Sequence, residues 1–208
     1  MPDLPISQLP LSDNLTGNEL FVDVQVGITK YTTLSSIKNY ITGSIPGIGG
    51  SGFGWARYDD TQYTTSSFLT VVDAAAAIVL PNNAGNSIET YMNSSKVFYN
   101  GTSKKVQAQN IGDVYSMVVT FEAKAPNANQ THMEISLSST GATQYDRVSK
   151  SLGFIKGNNE WENFYEIFNY YSDSDFVSNG NQWKISAVGG NVDVGNVIYF
   201  IHRTFNAG

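Results

Sequence analysis

From Trp55 onward the chain alternates short apolar runs with clusters of Gly, Asn, Ser and Pro. That is the pattern of antiparallel β structure. The alternation is cleanest at 113–124, where Tyr115, Met117, Val119, Phe121 and Ala123 share one face. It recurs at 132–138, where Met133, Ile135 and Leu137 oppose His132, Glu134, Ser136 and Ser138. A period of two predicts strands with one face in a core. Further strands are expected at 55–58, 68–72, 76–80, 87–92, 96–99, 104–108, 148–155, 163–171, 182–188 and 197–204. Asn100-Gly101 and Asn179-Gly180 are hairpin signals, because both residue types tolerate the positive φ of tight turns. Many short strands with such turns predict one β-sandwich or barrel over 55–208. No internal repeat points to a propeller or solenoid.

Two strands depart from the alternation. At 163–171, Phe164, Phe168 and Tyr170 lie on one side and Tyr165, Ile167 and Tyr171 on the other. In the last strand Val197, Tyr199, Ile201, Arg203 and Phe205 share one face, and Ile198, Phe200, His202 and Thr204 the other. A strand with one wet face should not be apolar on both. One face is therefore expected in the core and the other against a second subunit, since a surplus apolar face of this size marks an interface. The expected interface residues are Tyr165, Ile167, Tyr171, Val197, Tyr199 and Ile201.

Residues 1–42 follow a different pattern. Pro2, Pro5 and Pro10 keep the start extended, and Ile6, Leu9, Leu11 and Leu15 are spaced apolar anchors. Residues 19–26 predict a strand, with Gly27 turning the chain into 28–31. Residues 33–41 predict a short helix capped by Thr33 or Ser35, with Leu34, Ile37, Tyr40 and Ile41 on one face. About 40 residues rarely bury a sufficient core alone, so this reads as a docking segment. Residues 43–54 are Gly-rich and predict a flexible linker, reaching at most ~40 Å. Gly47, Gly49 and Gly52 match G-x-G-x-x-G, but neither the preceding strand nor the following helix of a phosphate loop is expected.

Composition narrows the function classes. Only 14% of the 208 residues are charged, against roughly 25% on average, so Asn, Ser, Thr, Gln and Gly must supply the polar surface. The net charge is −6, and Lys104-Lys105 is the densest basic spot. This argues against a nucleic-acid partner, which needs clustered cations. The absence of cysteine excludes disulfides, thiolate metal sites and a cysteine nucleophile. The first residues lack the basic and apolar regions of a signal peptide. No apolar run approaches the ~20 residues of a spanning helix, so membrane insertion is not expected.

The candidate chemistry is thin. His132 and His202 are the only histidines, with no convergent partners evident. Asp59-Asp60 and Asp173-Ser174-Asp175 offer hard oxygens but match no EF-hand spacing. Glu160, Glu162 and Glu166 surround Trp161, Phe164 and Tyr165. Paired carboxylates beside aromatics can hydrolyse glycans, yet β domains commonly carry such pairs on solvated edges. No enzyme activity, metal or cofactor is expected. Trp161 and Tyr170, and Tyr171 beside them, are candidate glycan contacts through their amphipathic rings.

The runs Ile6-Ser7-Gln8-Leu9-Pro10, Leu15-Thr16-Gly17-Asn18-Glu19-Leu20, Val24-Gln25-Val26-Gly27-Ile28-Thr29-Lys30 and Thr33-Leu34-Ser35-Ser36-Ile37 together resemble the N-terminal segment of many tailed-phage fibre and virion-decoration proteins. The remainder is similar in pattern to the trimeric jelly-roll heads of phage head fibres and tail fibres, related in shape to tumour-necrosis-factor-like domains. The resemblance implies an all-β protein: an extended and short-helical docking segment, a Gly-rich linker and a jelly-roll β-sandwich head that forms a homotrimer. It implies attachment to a capsid or other virion protein through Ile6, Leu9, Leu15, Thr16, Gly17, Glu19, Leu20, Leu34 and Ile37. The function implied is a structural virion protein, a head fibre or capsid decoration, with a host-surface glycan as a further partner. A tail-fibre tip with a receptor-binding head and a glycan-degrading enzyme are the alternatives.

Overall fold

A computed structural model describes residues 54–89 and 97–205, together with the backbone of two strands near the N-terminus. The chain divides into two compact units, Met1–Gly50 and Ser51–Gly208. In the first, β1 (Leu20–Gln25) and β2 (Ile28–Thr33) form an antiparallel hairpin pairing Leu20 with Thr33 and Gln25 with Ile28. Thr33, a candidate helix cap, closes β2 instead. Of the proposed attachment residues, Leu20 opens β1. Ile6, Leu9, Leu15, Thr16, Gly17, Glu19, Leu34 and Ile37, the helix expected at 33–41 and most of the linker lie outside the described residues.

The second unit contains β3 (Gly54–Asp59), β4 (Leu69–Val71), β5 (Ile78–Val79), β6 (Asn86–Ile88), β7 (Tyr99–Asn100), β8 (Lys105–Val106), β9 (Val114–Lys124), β10 (His132–Ser139), β11 (Asp146–Gly153), β12 (Glu162–Tyr171), α1 (Ser174–Asn179), β13 (Asn181–Val188) and β14 (Val192–Phe205). They form two six-stranded sheets. One runs β12-β9-β14-β3-β6, with β4 also on β14; the other runs β11-β10-β13-β8-β7, with β5 also on β13. The antiparallel pairs β3–β14, β8–β13, β9–β12 and β10–β11 nest one inside the next along the chain. That winding is a jelly-roll β-sandwich.

The two inner faces meet in an aromatic core. β9 alternates as its sequence predicts, with Tyr115, Met117, Val119, Phe121 and Ala123 buried. Trp183 of β13 packs against Phe168 of β12, their ring centroids 4.6 Å apart. Buried phenols find backbone acceptors: Tyr199 donates to Leu80 O at 3.1 Å and Tyr99 to Asn82 O at 2.6 Å. Burial pushes the Tyr199 hydroxyl well above its ordinary pKa, so it stays a donor. The Pro81-Asn82-Asn83 turn is pinned from within: the fully buried Asn82 amide donates to Tyr58 O and Val197 O.

β14 corrects one expectation. Val197, Tyr199 and Ile201 are not a subunit interface; they are buried in the core of their own chain, Tyr199 to 1% exposure. Their register explains this. Tyr199 pairs with Val119 and Ile201 with Met117, so all face the opposite sheet. A bulge between Gly195 and Ile198 sets that parity. Within it Asn196 adopts φ +52°, and a Cβ on Gly195 would lie 2.6 Å from the Thr64 backbone. Glycine is required there by close approach of the chain.

Candidate functional site

The face of β14 left outside belongs to a broader surface. Residues paired across neighbouring antiparallel strands point the same way, so the register arranges the outer face of the β12-β9-β14-β3-β6 sheet in rows. One row is Tyr165–Thr120–Ile198–Asp59–Asn86, and the next Ile167–Val118–Phe200–Arg57–Ile88. A third, Asn169–Ser116–His202–Trp55, is mostly polar, and Tyr171 pairs with Val114 beyond it. The first two rows form an apolar belt. Tyr165 and Ile167 are 64% and 48% exposed. Phe200 and Trp55 stack at 5.1 Å. A hollow of about 390 Å³ lies among Arg57, Val118, Thr120, Tyr165, Ile198 and Phe200. Beside the β14 bulge a more polar cleft of about 640 Å³ brings together Asp59, Glu122, Asn163, Asn196 and Tyr165. An apolar centre with a polar margin is the anatomy of a protein interface.

Tyr165, Ile167 and Tyr171 are thus on the outer face, whereas Val197, Tyr199 and Ile201 are not. Tyr170, a candidate glycan contact, is 6% exposed and stacks on Tyr115 at 5.6 Å. It shares the parity of Phe168 and packs in the core, where it also borders a cavity at the β11–β12 edge with Tyr145, Arg147 and Tyr171. Trp161 is half-buried, edge-on to Phe68 at 5.9 Å, with Lys124 Nζ 5.0 Å from its ring centroid.

The acidic groups have structural partners. Buried Glu162 accepts the backbone N–H groups of Ile155 and Lys156 at 2.7–3.0 Å and so ties down the β11–β12 connection. Glu166 pairs with Lys150 at 2.7 Å. Asp59 takes Arg57, and Asp60 takes the backbone of Tyr63 and Asn83. His132 and His202 are exposed, His132 on β10 and His202 on the outer face of β14. Among the described residues no group of three His, Cys, Asp or Glu side chains is placed to hold a metal, and no helix is long and apolar enough to cross a membrane.

Asp173 caps α1, a helix the periodicity does not announce, by accepting Phe176 N–H at 2.9 Å. It also takes both ends of Arg147, at 2.7 and 2.9 Å. Those guanidinium bonds first, and the Phe176 N–H after them, hold its carboxyl down to about 2 from an ordinary 3.8. A folded-state pKa below the unfolded one gives stability that is present above about 3.8 and lost as pH falls through about 2. Asp173→Asn is therefore expected to lower the melting temperature near pH ~5. The gap to the parent protein should close as pH approaches ~2. A gap constant over that range in thermal melts would contradict the assignment.

No family model matches the chain, and no curated protein matches it in sequence. Some solved structures align over most of the chain. Eiger TNF from S. frugiperda aligns at 11% identity and TM-score 0.48, over 76% of this chain and 96% of that one. The PRD1 vertex protein aligns at 11% identity and TM-score 0.38, over 95% and 86%. A carbohydrate-binding module from Cellvibrio mixtus lichenase 5A, in complex with cellotriose, aligns at 12% identity and TM-score 0.32, over 69% and 94%.

Proposed function

We propose that the protein is a structural component of a phage particle: a homotrimeric head fibre or capsid decoration, held by residues 1–42 and projecting its jelly-roll head. The observation that carries the reading is the apolar belt of Tyr165, Ile167, Val118, Ile198 and Phe200 on an outer sheet face. Water contact is costly for such a surface, and covering what Tyr165 and Ile167 still expose is favourable at roughly 25 cal/mol per Å² of apolar area. A second and a third copy of the same face supply the cover. Tyr171 stands apart, separated from the belt by the polar row of Asn169, Ser116 and His202. The N-terminal resemblance to virion-attachment segments supports the docking role. Three linked anchors act at high effective concentration, so each can be weak. The head is read as non-catalytic, with Glu162 and Glu166 committed to internal bonds.

Sedimentation of the full chain is expected to give the mass of three copies. Removing residues 1–42 should leave the head assembled and abolish its attachment to particles. A monomeric full chain would overturn the assembly, and attachment retained after the deletion would overturn the docking role.

A further inference from the structure

The chain holds two Asn-Gly pairs, and the fold places them in opposite circumstances. Asn100-Gly101 opens the turn between β7 and β8, where Asn100 pairs with Lys105 and Lys104 closes the loop at φ +58°. Asn179-Gly180 joins the end of α1 to β13. Such a pair is chemically reactive. The glycine nitrogen can attack the side-chain amide carbon of the asparagine before it, and glycine carries no side chain to obstruct the approach. The outcome depends on access, on the bond held by the glycine N–H and on the partners of the asparagine amide.

At Asn179 these are all closed. Its Nδ2 donates to Asp175 at 2.8 Å, and Gly180 N–H donates to Phe176 O at 2.9 Å. Gly180 is buried against Val106 O and Lys105. The backbone oxygen of Asn179 is held as well, by Lys105 Nζ at 2.9 Å and Thr140 at 2.7 Å. Reaction would strip a buried N–H of its acceptor, which is costly.

Asn100 is exposed. Its Oδ1 accepts the N–H groups of Thr102 at 3.0 Å and Ser103 at 2.9 Å. Two donors aimed at one carbonyl oxygen act as an oxyanion hole does: they polarise Cγ and meet the charge that gathers on the oxygen when Cγ is attacked. Neither the departing Nδ2 nor the attacking Gly101 N–H is engaged by a described residue. The turn also requires both members of the pair. Asn100 Oδ1 shapes it, and a Cβ on Gly101 would lie 2.4 Å from Asn83 O.

We propose that Asn100 is a site of self-modification, losing its amide to become aspartate or isoaspartate while Asn179 stays intact.

The reaction needs only water. Gly101 N gives up its proton to water or hydroxide and forms a bond to Asn100 Cγ. The Cγ–Nδ2 bond breaks, and ammonia leaves with a proton. The product is a cyclic imide. Water then opens one of its two carbonyl–nitrogen bonds. Opening at Cγ leaves aspartate; opening at the Asn100 backbone carbonyl leaves isoaspartate, whose main chain runs through the side-chain methylene. Either product adds a negative charge beside Lys104 and Lys105. Isoaspartate also lengthens the main chain next to buried Tyr99, whose phenol shares Asn82 O with Lys104 Nζ. β7 and β8 belong to the sheet opposite the apolar belt, so the reaction proceeds in a monomer and a trimer alike.

The test incubates the full chain at mildly alkaline pH, folded and in urea. Peptide mass spectrometry follows each asparagine, and enzymatic methylation counts isoaspartate. In urea the two pairs are expected to convert at similar rates. In the folded chain Asn100 should keep its urea rate to within threefold, and Asn179 should fall at least tenfold below its own. Asn100→Asp, whose carboxylate accepts the same two N–H groups, should remove most of the early ammonia release. Asn179→Asp should leave that release unchanged. The proposal is overturned if folding slows Asn100 as much as Asn179, if both keep their urea rates, or if Asn100→Asp releases ammonia as the parent does. Failure of the assembly alone reads differently: a monomer in which Asn100 still converts first.

Discussion

Asp113→Ala is expected to destabilise the jelly-roll head by about 3–5 kcal/mol, the usual cost of removing one partner from a buried ion pair. Asp113 is fully buried and Arg203 is 2% exposed, joined by a 2.8 Å contact from Arg203 Nη2. Arg203 Nη1 donates to Gln109 at 2.8 Å. The second oxygen of Asp113 accepts Tyr115 O–H and Asn110 N–H, both at 3.0 Å. One carboxylate thus fastens the final strand, the central strand β9 and the turn that enters it. The alanine takes away the carboxylate facing the buried Arg203 guanidinium, and Tyr115 O–H and Asn110 N–H lose that acceptor. The double substitution Asp113→Leu with Arg203→Met should recover much of the loss, because removing both charges removes the desolvation penalty as well. Urea unfolding at fixed protomer concentration measures both, with an unchanged denaturant slope as the check that only stability has moved. A loss under ~1 kcal/mol for Asp113→Ala would show that the pair is solvated and not a core element.

The pair also shows where sequence reading stops. Strands β9 and β10 were legible, because one parity is consistently apolar and the structure buries that parity. In β14 both parities are apolar, so periodicity gives the strand without saying which face is inside. The polar atoms point the wrong way: Tyr199 and Arg203 look like surface residues, yet each finds its partner far along the chain, at Leu80 and Asp113. The bulge at Asn196 fixes the parity, and that bulge depends on backbone contacts to Tyr63 and from Asp60. For Tyr170 the signal was present, since it shares parity with Phe164 and Phe168, and its phenol made it look like a contact residue. Helix α1 has six residues, too few to repeat a period, and only Asp173 as a cap hinted at it. The edge cavity needs β11 and β12, ends of different sheets, to come together around Arg147, and nothing local in the chain encodes that meeting.

On the proposed trimeric assembly, Phe200→Asp is expected to give monomers while leaving each head folded. Phe200 is half-buried on the outer face, paired with Val118 and Arg57 across the sheet and stacked on Trp55. Its side chain is outside the core, so the substitution opens no interior cavity, and the melting temperature of the isolated head should move little. In an interface the same position lies near the middle of the belt, where truncating an aromatic anchor typically costs 2 kcal/mol or more. A carboxylate adds the penalty of desolvating an unpaired charge. Each interface in a closed ring carries the change, so even about 2 kcal/mol per contact, roughly a thirtyfold weakening, compounds around the ring. Ile167→Asp, in the same row, should behave alike. Ser116→Asp, in the neighbouring polar row, should weaken assembly less. Sedimentation velocity across a concentration series separates these outcomes from unfolding, which circular dichroism monitors in parallel. If Phe200→Asp and Ile167→Asp sediment as the parent does, the belt is not the contact.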